Sequence, residues 1–163
     1  MRKVRLRMEP RRRIYLAVIG AGSPQLEIYE LAMVVGKEAA LRGWVVMTGG
    51  LVGVMEAAAR GAREAGGLTL GILPGGDRRD ANPYVDIAVA TNIGQARNAI
   101  IAQTADALIA VDGEYGTLSE IALGLKLGKP VVGLKTAWSI PGLVSADTPK
   151  EAVEKVSALL STT

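Results

Sequence analysis

The sequence predicts an α/β domain of three layers, in which helices cover both faces of a mostly parallel sheet. Three observations predict it. From Ile14 onward, short β-branched runs alternate with longer segments rich in Ala and Glu, which is the rhythm of βαβ units. The short runs are nearly all apolar, as strands must be when both of their faces are buried. Glycine then gathers just beyond those runs, where the strands of a parallel sheet hand over to helices.

In chain order, strands are expected at Ile14 to Ile19, Val45 to Met47, Leu68 to Ile72, Asp86 to Val89, Ala107 to Val111 and Val131 to Leu134. The first helix should open at Pro24 under a Ser23 cap and stop at Gly43, with Ile28, Leu31, Val35 and Ala39 on one apolar face. A second should run from Val54 to Ala65, its Ala57, Ala58 and Ala62 allowing close packing, and end at Gly66-Gly67. A third is expected from Gly94 to Thr104, a fourth from Thr117 to Leu127, and a last one under Thr148 with Pro149 in its first turn. The polar stretch from Gly75 to Pro83 reads as a surface excursion.

Composition narrows the chemistry. A chain of 163 residues that is 49% hydrophobic has enough apolar surface for one domain with a real core. No run of 18 uninterrupted apolar residues occurs, and the N-terminus lacks the apolar stretch of a signal peptide, so no membrane association and a cytoplasmic location are expected. Cysteine and histidine are both absent, which removes disulfides, thiolate and imidazole metal sites and the commonest acid–base side chain. Carboxylates, Arg, Lys, Tyr and hydroxyls are left, and no metal site is expected. Charge is divided unevenly: residues 1–13 carry +6 and the remaining 150 carry −3. Residues 1–12 are therefore read as a basic, disordered tail and residues 13–163 as the folded domain.

Four of the expected strand-to-helix loops are glycine-rich: Gly20-Ala21-Gly22-Ser23 after the first strand, Gly49-Gly50 with Gly53 after the second, Pro74-Gly75-Gly76 after the third, and Gly113 to Gly116 after the fifth. Without a Cβ, such loops let backbone N–H groups approach an anion closely, and a phosphate then sits at a helix N-terminus. Neither a Walker A loop nor a complete G-x-G-x-x-G is present, which argues against ATP hydrolysis and ordinary NAD binding. Thr117-Leu118-Ser119-Glu120 fits the T-x-x-E helix opening, in which Thr caps the first turn and Glu reaches back to the backbone. Because the tetrad also follows the Gly113 loop, Glu120 is either architecture or a group that faces a ligand. Thr148 to Glu151 repeats the pattern with no glycine loop before it, so capping alone is a sufficient reason for it. Arg97 stands one helix-strand-loop step before Glu120; a salt bridge between neighbouring helices and two walls of one crevice both fit that spacing.

The residues Thr48-Gly49-Gly50 with Gly53-Val54-Met55, Pro74-Gly75-Gly76, Arg97, and Gly113 with Gly116-Thr117 and Glu120 resemble the superfamily of "lonely guy" proteins and their lysine decarboxylase-like relatives. The resemblance covers nearly everything from Ile14 to Leu134 and implies a single Rossmann-like domain. The stretches from Arg42 to Met55, from Gly61 to Gly67 and from Gly71 to Gly75 are most similar to the molybdenum cofactor carrier proteins. That likeness implies a small phosphorylated ligand, a pterin or a nucleotide, and a homo-oligomer, dimer or tetramer. No pyridoxal-binding lysine motif supports decarboxylation, and no cofactor is required.

The first expectation is thus a cytosolic carrier or binding protein for a phosphorylated nucleotide-like ligand, with molybdenum cofactor the leading candidate and a nucleoside monophosphate the other. Gly20, Gly22, Ser23, Gly49, Gly50, Gly53, Pro74, Gly75, Gly113 and Gly116 would hold the phosphate, while Arg97, Thr117 and Glu120 line the pocket. The alternative is a phosphoribohydrolase that cuts the N-glycosidic bond of nucleoside 5′-monophosphates, for which the resemblance implies Arg97 and Glu120 as catalytic residues. Against it, the enzymes' Pro-Gly-Gly-x-Gly-Thr-x-x-Glu has two positions replaced by acids here, Asp112 and Glu114. A third expectation, a DNA-associated protein distantly like the DNA-processing fold family, rests on the tail; nucleic acid is not expected, because the body is acidic and poor in aromatics.

Overall fold

The computed structural model describes residues 12–162. The tail expected over residues 1–12 therefore lies, apart from Arg12, outside the described residues. Seven strands form one sheet: β1 (Tyr15–Gly20), β2 (Val45–Thr48), β3 (Thr69–Leu73), β4 (Ile87–Ala90), β5 (Ala107–Val111), β6 (Val131–Leu134) and β7 (Val144–Ala146). Their order is β4-β3-β2-β1-β5-β6-β7, and every pairing is parallel. Five α-helices connect them: α1 (Leu26–Leu41), α2 (Val54–Glu64), α3 (Arg97–Thr104), α4 (Tyr115–Lys126) and α5 (Pro149–Leu160).

Two cores follow from strand alternation. Leu16 and Val18 of β1 face the cluster filled by Ala32, Val35 and Ala39 of α1, Ala57, Ala58 and Ala62 of α2, and Val153 and Val156 of α5. Ala17 and Ile19, pointing the other way, join Ile101 of α3 and Ile121 of α4. Both faces are covered, which is why the strands carry so few polar residues. Strand order reverses at β1: β2 to β4 lie on one side of it and β5 to β7 on the other. In open sheets of this kind a crevice forms at the carboxyl edge at that reversal.

The α1–α2 pair is set by glycine. A Cβ on Gly61 would strike the Met33 carbonyl of α1, and one on Gly36 would strike the Ala58 backbone of α2, so the two helices approach backbone to backbone.

Three expectations are corrected. α1 starts at Leu26 behind Gln25, not at Pro24; the extended Gln25 (φ −65°, ψ 159°) breaks the turn, and Ser23 is left in the loop without a capping role. α4 starts at Tyr115, two residues ahead of Thr117, with Glu114 at the cap position and no side-chain cap bond. The tetrad from Thr117 to Glu120 therefore lies inside the helix and is not a capping box. The second copy does cap its helix: Thr148 Oγ1 accepts from Glu151 N at 3.1 Å, and Glu151 Oε2 reaches back to accept from the N–H of Asp147, the residue before the cap, at 2.8 Å. β7 was not expected; its three residues are too few for a period to show and are fixed by pairing to β6. In the 75–83 loop a short 3-10 turn over Arg78–Asp80 is exposed, but Asn82 is buried.

Two substitutions check these assignments by urea denaturation. Thr148→Ala should lower stability by about 1 kcal/mol through loss of the cap. Gly61→Ala should lower it by about 1–3 kcal/mol, because the helices must part to admit a methyl group.

Candidate functional site

The loops at the carboxyl edge enclose a cavity of about 370 Å³, within the range of small-molecule sites. Its walls are the β1–α1 loop (Gly20, Ala21, Gly22 and Ser23), the β2–α2 turn (Gly49 and Leu51) with Met55, the start of α3 (Gln95, Arg97 and Asn98), and the first turns of α4 (Glu114, Gly116, Thr117 and Glu120). Val18 and Ile19 of β1 form its floor. None of these lining residues is aromatic, so a planar ring would rest on aliphatic and thioether surface.

Of the residues that the sequence nominates, Gly20, Gly22, Ser23, Gly49, Arg97, Gly116, Thr117 and Glu120 border the cavity; Gly50, Gly53, Pro74, Gly75 and Gly113 do not. The second group stands behind the walls. Gly53, with φ +72°, abuts the carbonyls of Ala21 and Gly22, where a side chain would collide. Gly113 backs onto the Thr117 side chain, and Gly50 onto Leu73. The carbonyls of Pro74 and Gly75 accept from Gly94 N and Asn92 N, both at 3.0 Å, and so hold the segment that leads into Arg97. Sequence reasoning missed Ala21, Leu51, Met55, Gln95 and Asn98. Each had a signal in the chain: Ala21 and Leu51 lie within glycine loops, Met55 belongs to the Gly53-Val54-Met55 stretch, and Gln95 and Asn98 stand beside Arg97. Of the two acids that replace positions of the enzymes' motif, Glu114 lines the cavity and Asp112 does not.

Arg97 is only 5% exposed and is anchored to backbone. Nε donates to Ile72 O at 2.8 Å, Nη2 donates to Gly49 O at 3.3 Å, and Nη1 donates to Asn98 Oδ1. The guanidinium thus lies across the ends of β2 and β3. Gly49 makes room for it: a Cβ there would sit 2.5 Å from Nη2. Asn98 Nδ2 in turn points at Ser119 Oγ, 3.4 Å away, and Ser119 Oγ donates to Gly116 O at 2.6 Å, linking α3 to the first turn of α4.

Glu120 is 7% exposed, and no hydrogen bond or ion pair within the described residues engages its carboxylate. Burial pushes its pKa up to about 7, against the pull of the Arg97 charge in the other direction. Burial likewise lowers the pKa of Arg97, opposed by Glu120. The two interact through space without forming a salt bridge. A buried, unpaired carboxyl that titrates near neutrality beside a fixed cation is able to accept a donor from a ligand or to exchange a proton with it.

Comparisons with known proteins extend the picture. A model of the SLOG cluster4 family matches residues 13–160. An uncharacterised protein of Archaeoglobus fulgidus is 50% identical over 139 residues, 85% of this chain and 91% of that protein. A cytokinin riboside 5′-monophosphate phosphoribohydrolase of Mycobacterium tuberculosis is 39% identical over 110 residues, which cover 65% of this chain and 59% of the enzyme, so the likeness spans less than two thirds of that protein's length. Among solved structures, the molybdenum cofactor binding protein of Rippkaea orientalis is similar with a TM-score of 0.87 at 37% identity, over 92% of this chain and 99% of that one.

The raised pKa has a measurable consequence for stability. A folded-state value of about 7 lies above the ordinary 4.5, so the folded protein holds a proton that the unfolded chain releases. This contribution is complete below about pH 4.5 and is lost as pH rises through about 7. Glu120→Gln should match wild type near pH 4.5 and exceed it increasingly up to pH 8, by at most about 3 kcal/mol. Urea midpoints measured across that range check it; parallel curves for the two proteins would contradict the burial of an unpaired carboxyl.

Proposed function

Because the chain belongs to the SLOG cluster4 family, whose model spans nearly all of it, we propose that it is a cytosolic binding or carrier protein for a phosphorylated, nucleotide-like ligand, with molybdenum cofactor the leading candidate. The observation that carries this reading is the convergence of two glycine loops, the α4 N-terminus and an anchored arginine on one cavity. Backbone N–H groups of the β1–α1 loop, at Gly22 and Ser23, and of the neighbouring β2–α2 turn would hold the anionic group, and Thr117, Arg97 and Glu120 would contact the remainder. The likeness to the molybdenum cofactor binding protein of Rippkaea orientalis supports the carrier reading, since it extends over 92% of this chain and 99% of that one.

A phosphoribohydrolase activity is the second reading, and Glu120 is the observation that favours it. Near-neutral carboxyls are suited to taking a proton from water as its oxygen bonds to the anomeric carbon and the glycosidic bond breaks, and to passing that same proton to the nitrogen of the departing base. Glu114 counts against it: a further carboxylate lines the α4 end of the cavity, where it opposes a phosphate. The reading as a DNA-associated protein depends on the basic tail, outside the described residues, and no feature of the cavity supports it.

A dimer or tetramer belongs to the same proposal. Exposed Ile87 and Val89 of edge strand β4 share a sheet face with Leu70 and Ile72, and Ile93 and Ile100 are exposed on the neighbouring segment and α3. Light scattering should return an assembled mass.

Native mass spectrometry of the purified protein, with elemental analysis for molybdenum, tests the carrier reading, which expects a retained phosphorylated ligand. Incubation with AMP should leave the nucleotide intact. Release of free adenine by wild type but not by Glu120→Gln would instead establish the hydrolase, and failure to bind a pterin, a nucleotide or inorganic phosphate at millimolar concentration would remove both readings.

A further inference from the structure

Asn82 is buried, at 7% exposure, in the connection between β3 and β4, yet it does not line the cavity. Its polar groups are committed to the turn after β2 and to its own loop. The backbone N donates to Gly50 O at 2.9 Å, and Nδ2 donates to Leu51 O at 2.7 Å and to Gly50 O at 3.3 Å. Oδ1 accepts from Tyr84 N at 3.0 Å, which fixes the amide's orientation.

The effect on the turn is directional. In a trans peptide the C=O and N–H vectors oppose each other, and no peptide here is cis. Drawing the carbonyls of Gly50 and Leu51 toward Asn82 therefore turns the N–H groups of Leu51 and Val52 the opposite way, at a turn whose Leu51 borders the cavity. Gly50 (φ +77°) and Gly53 (φ +72°) permit this path. Among the described residues, the N–H groups of Leu51, Val52 and Gly53 have no acceptor. Successive unpaired amides in a turn form a concave anion site.

Two further observations point to a ligand in the cavity that this turn borders. Thr117, across the cavity, is 4% exposed, and its hydroxyl has no hydrogen-bond partner among the described residues. Both carboxylates that line the cavity, Glu114 and Glu120, belong to the α4 wall, while Gly49, Leu51 and Met55 bring no acid to the β2–α2 wall. An anion is favoured on the second wall and opposed on the first.

We propose that Asn82 is a positioning residue that shapes residues 50–53 into a phosphate nest, with the Leu51 and Val52 amides as donors to the ligand's phosphate. The proposal rests on the ligand reading above and assigns the orientation within it: phosphate against β2–α2, and the donor-bearing part of the ligand against Thr117 and Glu120.

Titration calorimetry with AMP, adenosine and inorganic phosphate tests it on wild type and Asn82→Asp, which keeps the acceptor for Tyr84 N but cannot donate to Gly50 O or Leu51 O from its side chain. Affinity for AMP and for phosphate should fall about tenfold or more, as for misdirected charge-assisted hydrogen bonds, while adenosine affinity changes less than about twofold. An equal loss for all three ligands, or none, overturns the proposal by reducing Asn82 to a structural role. Wild type that binds neither AMP nor phosphate overturns both this proposal and the ligand reading, whereas wild type that binds AMP with its preference unchanged in the variant overturns this proposal alone. A second measurement needs no variant: phosphate added to wild type should shift the amide resonances of Leu51 and Val52, and unmoved resonances exclude the nest.

Discussion

The site depends on one guanidinium laid across the ends of two strands. Strand-terminal carbonyls at the carboxyl edge of a parallel sheet have lost their ladder partners, and at Ile72 and Gly49 the missing donors are supplied by Arg97. That arrangement explains several residues together. Gly49 lacks a side chain because Nη2 occupies the space. Pro74 and Gly75 lend their carbonyls to the segment that delivers Arg97, and Asn98 receives its remaining edge. Arginine suits the position because its planar fork reaches acceptors in several directions at once, which a lysine ammonium on a flexible stem does not.

Anchoring Arg97 to backbone has an electrostatic consequence. A cation already engaged by neutral carbonyls does not close onto Glu120, so the carboxyl remains buried without a partner and holds its proton to near neutrality. The cavity is thereby polarised: both lining acids on the α4 side, glycine backbone and aliphatic surface on the β2 side. Such a division favours negative charge on the β2 side and hydrogen-bond donors on the α4 side.

Much of the fold was legible in the sequence. Six of the seven strands follow from apolar runs, and the second and last helices from alanine spacing and from Thr148-Pro149. Errors cluster at the cavity, where local rules are overridden. Ser23 and Pro24 have the composition of a helix start, but the β1–α1 loop runs extended past them to reach the cavity. Thr117 and Glu120 have the spacing of a capping box, but α4 begins at Tyr115, so both side chains are inside the helix and border the cavity. Glycines required for close packing, such as Gly53 and Gly113, could not be told from cavity glycines, since in both cases the sequence records only a missing Cβ.

By itself, the sequence determined the layering, the approximate element boundaries and the glycine-rich character of the rim, because periodicity and backbone freedom are local properties of a few adjacent residues. Only the tertiary structure decided which of those glycines border the cavity, that Arg97 and Glu120 stay apart, and that Asn82 holds a turn more than thirty residues earlier in the chain. The physical reason is that an unpaired amide or carboxyl is defined by the partners it lacks, and those partners are brought near or kept away by strand order and by hydrogen bonds between segments distant in sequence.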